Sequence, residues 1–241
     1  MRAAYPPLDT PKRVADNVWI VDSGPMNAMG LTLPVRMTIV RLKNGDLLLH
    51  SPTRFTLDLA RAVVALGPVR HLVAPNIAHW TFLAEWQRAY PGATTWAAPG
   101  LRERAQVRRS GVRLDHDLSD EAPANWADEI EQGVVPGGAG FREVYFFHRP
   151  SRTLILTDLV EDLDPSRLPP VTRTVMQMSG ATGGRTAAYL RAVVKLGGEE
   201  AERAARRMVE LAPERVIFAH GDWFEERGQE RLRRAFDWLL K

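Results

Sequence analysis

Four apolar runs in this sequence end on side chains able to bind a metal or move a proton. "DLLL" is followed by His50, "HLVAP" by Asn76 and then His79, "TLILT" by Asp158, and "VIFA" by His220 and then Asp222. In open α/β sheets, ligands collect outside the carboxyl ends of strands, where loops meet helix N-termini above a rigid platform. Two histidines and one carboxylate at such ends can hold zinc with one position open to water, or a non-haem iron. Any one of these residues alone reads as a turn former, because Asp and Asn favour turns. Recurrence at four ends is what points to a site. Asn76 is also a good helix N-cap. His79, three residues on, falls in the first turn of a helix expected from about Ala78 to Ala89. The helix dipole there disfavours the imidazolium and leaves the neutral ring that a metal requires.

The elements that must position these groups alternate between strand and helix. "NVWIVDS" and "VRMTIVRL" read as strands, and the Asn-Gly turn of "NGDLLLH" marks an antiparallel hairpin. "TLDLARAVVALGP" carries apolar residues at helical spacing and stops at Gly67 and Pro68. "HLVAP" and "ATTWAAPG" follow as strands, the second leading into an arginine-rich helix. A strand is expected near "EIEQGVV", and "FREVYFF" and "TLILTDL" flank the turn "HRPSR". Residues 161–184, rich in proline, glycine and threonine, read as a long loop or small insertion. Helices over about 185–196 and 199–211, the strand "RVIFA" and an amphipathic C-terminal helix complete a single domain over residues 1–241.

Composition narrows the function. The chain has 241 residues, 45% hydrophobic and 25% charged, with a net charge of +3. This is the balance of a globular protein with a sizeable core, and the charge is too small to argue for nucleic acid. With no cysteine, disulfides, thiolate metal sites and a cysteine nucleophile are excluded. The first twenty residues lack the apolar core of a signal peptide, and no run of about eighteen apolar residues occurs, so a soluble cytoplasmic protein without membrane contact is expected. "PGGAG" and "ATGGR" lack the residues of a Walker loop, and no GxSxG elbow is present. Ser51 reads as a capping or turn residue. His71, His116 and His148 fall at a strand start, in an acidic loop and in a hairpin turn, and are weaker candidates.

The order of motifs resembles the metallo-β-lactamase-like superfamily. "LLLHSP" stands where that family has a strand-end aspartate, and "HLVAPN" where its strand enters the HxHxDH ligand loop. "VVPGGAGFREVYFFHRPSRTLILTDL" resembles the stretch from its third histidine to its bridging aspartate, and "VIFAHGD" its last histidine. "APNIAHWTFLAEW" is similar, more narrowly, to a branch in which PNxxH replaces HxHxDH, a branch that brings no established activity. The resemblance implies an αββα sandwich with mixed sheets and a site at one edge between them. It also exposes departures, since His79 alone remains of the first loop and the third histidine is replaced within Gly137 to Gly140. The ligands that remain are His79, Asp158 and His220, for one divalent metal, zinc or iron. His50, Asp222 and Trp80 are supporting neighbours.

Three functions fit this set. In a single-metal hydrolase, Asp158 would orient water and Asn76 would donate a hydrogen bond to the developing oxyanion. A non-catalytic module would use the same cleft for a small ligand, and a mononuclear iron oxidoreductase would use the same donors. Each takes a small-molecule partner, whose identity the sequence does not carry, nor does it fix the oligomeric state.

Overall fold

The computed structural model describes residues 3–28 and 30–240. The chain opens with three antiparallel strands, β1 (Lys12–Ala15), β2 (Val18–Ala28) and β3 (Leu31–Arg41). The Asn-Gly turn then returns it as β4 (Leu47–His50), with Thr38 opposite His50. Helix α1 (Leu57–Val64) is capped by the Thr56 side chain on the Leu59 amide, and strand β5 (Val69–Ala74) lies parallel to β4. Helix α2 (Leu83–Ala89), strand β6 (Thr94–Ala97), helix α3 (Ala105–Ser110) and the short β7 (His116–Asp117) finish a seven-stranded mixed sheet in the order β1-β2-β3-β4-β5-β6-β7.

The second sheet holds β8 (Ile130–Pro136), β9 (Arg142–His148) and β10 (Thr153–Ile155) as an antiparallel meander. Helices α4 (Pro170–Ser179), α5 (Ala188–Lys195) and α6 (Gly198–Glu210) intervene before β11 (Arg215–Ile217) joins β10 in parallel, and α7 (Gly228–Ala235) closes the described chain. The result is the αββα sandwich with mixed sheets.

Alternating side chains explain the four layers, because successive residues of a strand face opposite sides. Leu48, Val73 and Trp96 of the large sheet meet Val144, Phe146 and Ile155 of the small one in a shared buried layer. Their neighbours Leu47, Leu49 and Leu72 turn outward to Leu59, Val63 and Trp86 of α1 and α2. Tyr145, Phe147 and Val216 turn outward to Leu190, Met208 and Leu232 of α5, α6 and α7.

Three expectations are corrected. The helix after β5 begins at Leu83 rather than Ala78, so His79 lies on an irregular turn and not in a first helical turn. Residues 161–184 are not plain loop. They contain a 3-10 turn at Pro165–Arg167 and helix α4, which starts at Pro170, stops at Gly180 (φ +73°), and buries Thr172 and Met176 while Val171 and Met178 stay exposed. Proline suits the first turn of a helix and glycine its end; the same residues inside a threonine-rich stretch look like loop. His148 closes β9 in a buried position instead of sitting in the turn.

The sheets meet at one end through buried polar contacts. Arg36 of β3, 3% exposed, pairs with Asp22 at 2.7 Å and donates to the Phe218 carbonyl at 2.9 Å. Gly221 has φ +88°, and a Cβ there would lie 2.1 Å from the Asp162 carbonyl oxygen, so only glycine lets the segments leaving β10 and β11 run side by side. At the same end His50 is buried, edge-on to Phe146 with ring centroids 5.1 Å apart, and its Nε2 has no partner.

Burial, with the neighbouring His79 ring adding to it, lowers the His50 pKa from 6.5 to about 3. A ring neutral when folded but free to protonate when unfolded favours folding fully above about pH 6.5. That stability falls by about 1.4 kcal/mol per pH unit from there toward pH 3. Denaturant unfolding at pH 6.5 and pH 5 is therefore expected to show the unaltered protein losing about 2 kcal/mol more than His50→Gln. Equal losses in the two proteins would contradict the buried neutral ring.

Candidate metal centre

The site is built on the exits of four strands. Asn76, His79, Asp158 and His220 follow β5, β10 and β11, and Ser51 follows β4. Glu143, inside β9, faces Asn76 across an isolated antiparallel bridge, anchored by a hydrogen bond from the Val144 amide to the Pro75 carbonyl at 2.8 Å.

Glu143 organises the turn that carries Asp158. It is wholly buried, and its Oε1 accepts from the Thr157 and Leu159 amides at 2.8 and 3.4 Å. Its Oε2 accepts from the Asp158 amide at 2.9 Å and from Asn76 Nδ2 at 3.4 Å. Burial pushes its pKa up, reinforced by the charge of Asp158, while the amides oppose the rise. Four N–H groups directed at one carboxylate fix the backbone of Thr157 to Leu159, which would otherwise carry unpaired donors.

Asn76 joins this turn to the histidine loop. Its Oδ1 accepts from the Ala78 and His79 amides at 2.8 and 2.9 Å, the capping geometry expected of it. Its Nδ2 donates to Asp158 Oδ2 at 2.7 Å and to Thr157 Oγ1 at 3.0 Å. With the side chain fully buried and both ends engaged, Asn76 has no N–H left for an oxyanion. The oxyanion role expected for it is corrected to one of holding Asp158.

One donor atom each from His79, Asp158 and His220 lies within 4.8 Å of the others, and this is the one such group of three or more among the described residues. His79 Nε2 is 2.9 Å and His220 Nε2 is 3.2 Å from the same atom, Asp158 Oδ1. The side chains are 10%, 7% and 19% exposed for His79, His220 and Asp158, so the cluster opens narrowly to solvent. Burial opposes ionisation of Asp158, but the two imidazoles outweigh it and hold the carboxyl well below its ordinary range. Burial likewise disfavours a charged His220, yet the hydrogen bond and charge of Asp158, with Glu161 behind it, raise that pKa to about 9.

The outer nitrogens decide what the inner ones can do. His220 Nδ1 is 2.7 Å from the Pro34 carbonyl, which only accepts, so Nδ1 carries a hydrogen. A neutral His220 then presents the Nε2 lone pair to an anionic oxygen, and the pair repels unless a cation, either a proton or a metal, sits between them. A backbone carbonyl holding the far nitrogen is the usual support of a metal-ligating histidine. Two donors bound tetrahedrally to zinc at about 2.0–2.1 Å stand about 3.3 Å apart, close to the spacings present here. The residues fit one divalent ion.

The other candidates do not offer a donor atom to this cluster. His50 is sealed in the layer between the sheets. Asp222 is exposed and faces Asp162, Arg36 and Arg167. Trp80 packs on the outer face of the large sheet with Phe55 and Ile77. Where the superfamily resemblance loses a histidine, Gly137 lets α5 pack close, since a Cβ there would lie 3.0 Å from the Val193 carbonyl oxygen.

Sequence reasoning missed Glu143, whose signal was an acid within the apolar run "FREVYFF". It also set aside Ser51, whose Oγ lies 2.7 Å from His79 Nδ1. Glu161 was missed too. It is 3% exposed with Oε2 unpartnered, and burial raises its pKa to about 7.

No curated protein matches the chain in sequence. Among solved structures, the DIM-1 metallo-β-lactamase exposed to ceftazidime is 15% identical, with a TM-score of 0.64 over 94% of this chain and 95% of that one. A metallo-β-lactamase from Pontibacter korlensis is 16% identical, with a TM-score of 0.62 over 95% and 97%. The FIM-1 metallo-β-lactamase from Pseudomonas aeruginosa in its mono-zinc form is 14% identical, with a TM-score of 0.59 over 96% of each chain. These likenesses establish a metallo-β-lactamase fold. The profile of one sequence family matches residues 15–188, and on that match the chain belongs to the family described as Domain of unknown function (DUF4336).

Proposed function

We propose that the protein is a hydrolase using a single divalent ion, zinc or iron, held by His79, Asp158 and His220. The observation that carries this reading is the Asp158 Oδ1 atom facing two histidine nitrogens, one of which has its Nδ1 hydrogen committed to the Pro34 carbonyl and so meets Asp158 only across a proton or a metal ion. The mono-zinc form described for FIM-1 supports the capacity of this fold to hold a single ion. When bound, such an ion supplies Lewis acidity, acidifying water and polarising a carbonyl or phosphoryl oxygen.

The chain's own residues prepare that position. Asp158 Oδ2 is occupied by the Asn76 amide, so Oδ1 alone is turned to the cluster. Glu143 and Asn76 keep the carboxylate from rotating. The narrow exposure of the three side chains keeps the site drier than open surface, which strengthens charge interactions there. Within this reading the partner is a small molecule.

Elemental analysis of protein purified without chelator is expected to give about one equivalent of zinc or iron per chain. Alanine at His79, Asp158 or His220 should remove both that metal and any turnover of ester, lactone or phosphoester substrates. A chain that takes up neither zinc nor iron when supplied in excess would end this reading.

Glu143→Gln replaces a carboxylate oxygen by an amide that confronts N–H groups. Its expected cost in unfolding free energy is about 1–3 kcal/mol, the range for a buried donor left unpaired. Metal content should drop with it. Unchanged stability by denaturant titration would show that the carboxylate does not organise the turn.

A further inference from the structure

The two histidines of the cluster are held at their outer nitrogens by different kinds of partner. His220 Nδ1 meets the Pro34 carbonyl, which can only accept. His79 Nδ1 meets the Ser51 hydroxyl at 2.7 Å, which can accept or donate. Ser51 is 5% exposed, directly follows β4, and is pinned by its own amide, which donates to the Val73 carbonyl at 2.9 Å. Its φ is +55°, in the left-handed region that residues other than glycine uncommonly occupy. Such conformations persist where surrounding structure holds them and cluster at functional sites.

We infer that Ser51 is a positioning residue whose hydroxyl lets His79 exchange a hydrogen for a metal ion at Nε2 without moving the ring. The inference rests on the single-ion reading above. In the metal-free protein, the anionic Asp158 oxygen at 2.9 Å calls for a hydrogen on His79 Nε2. Nδ1 of the neutral ring is then an acceptor, and Ser51 donates to it. When Nε2 becomes a ligand, its hydrogen leaves to solvent and Nδ1 takes one up, so the ring stays neutral and only its tautomer changes. The hydroxyl hydrogen rotates off the ring, and the Ser51 oxygen accepts from Nδ1–H. An acceptor-only partner would enforce one tautomer; an apolar residue would leave Nδ1–H unpaired in a nearly closed space. The serine hydroxyl is thus able to reverse its hydrogen bond while the ring stays in place.

Ser51→Gly adopts the same backbone conformation without strain, so the variant can fold while losing the hydroxyl. Zinc affinity is measured by competition with a chromophoric chelator. Histidine side-chain 15N spectra, with His79 identified by comparison with His79→Gln, report the tautomer. The expected result is a hydrogen on Nε2 in the metal-free unaltered protein, a hydrogen on Nδ1 after zinc, and affinity about 10- to 100-fold weaker in Ser51→Gly, the usual loss for a partner behind a ligand. Equal affinity in Ser51→Gly, or Nδ1 already protonated without metal, overturns the role of Ser51 and leaves the single-ion reading standing. No zinc uptake by the unaltered protein overturns both.

Discussion

Asp158 is the constraint on which the rest of the site turns. Its carboxylate has one oxygen tied to the Asn76 amide and the other facing two imidazole nitrogens, and its backbone is held by Glu143. A neutral imidazole can face an ionised oxygen by donating its Nε2 hydrogen, but a ring whose one hydrogen is already used at Nδ1 can do so only with a proton or a metal ion between the two. The Pro34 carbonyl sharpens this demand by committing the far side of His220. A deep carboxylate, a fixed imidazole and a reversible one therefore form a site that asks for a cation.

The fold supplies the convergence that the sequence separates. Asp158 and His220 lie at the ends of neighbouring parallel strands, so they share an edge once β10 and β11 pair. Asn76 reaches them from the other sheet through its bridge to Glu143. Arg36, buried against Asp22 and the Phe218 carbonyl, ties β3 to the exit of β11 and so sets Pro34 against His220. The layer between the sheets has an apolar centre around Leu48, Val73, Val144, Phe146 and Ile155, and the candidate ligands gather at the end where β5, β10 and β11 leave it.

How much of this was legible follows from the range of each interaction. Local signals were readable: the hairpin at Asn44 and Gly45, the strand ends carrying His79, Asp158 and His220, and the turn-capping carbonyl of Asn76. Longer-range partners were not. Nothing around Glu143 shows that its carboxylate will serve amides fourteen or more residues away. Ser51 does turn the chain, as its neighbours suggest, but its contact with His79 depends on β4 and β5 lying side by side. Helix α4 was hidden because its exposed apolar residues and flanking prolines do not follow the pattern of a helix packed along one face. Asn76 was assigned a free amide because the strand that occupies it comes from the second sheet.

X-ray anomalous scattering at the zinc and iron edges, from crystals of metal-loaded protein, tests the central claim most directly. The account expects one peak among His79 Nε2, Asp158 Oδ1 and His220 Nε2, at about 2.0–2.2 Å from each. A metal-loaded crystal with its peak elsewhere, or with the three side chains still bonded only to one another, would contradict it.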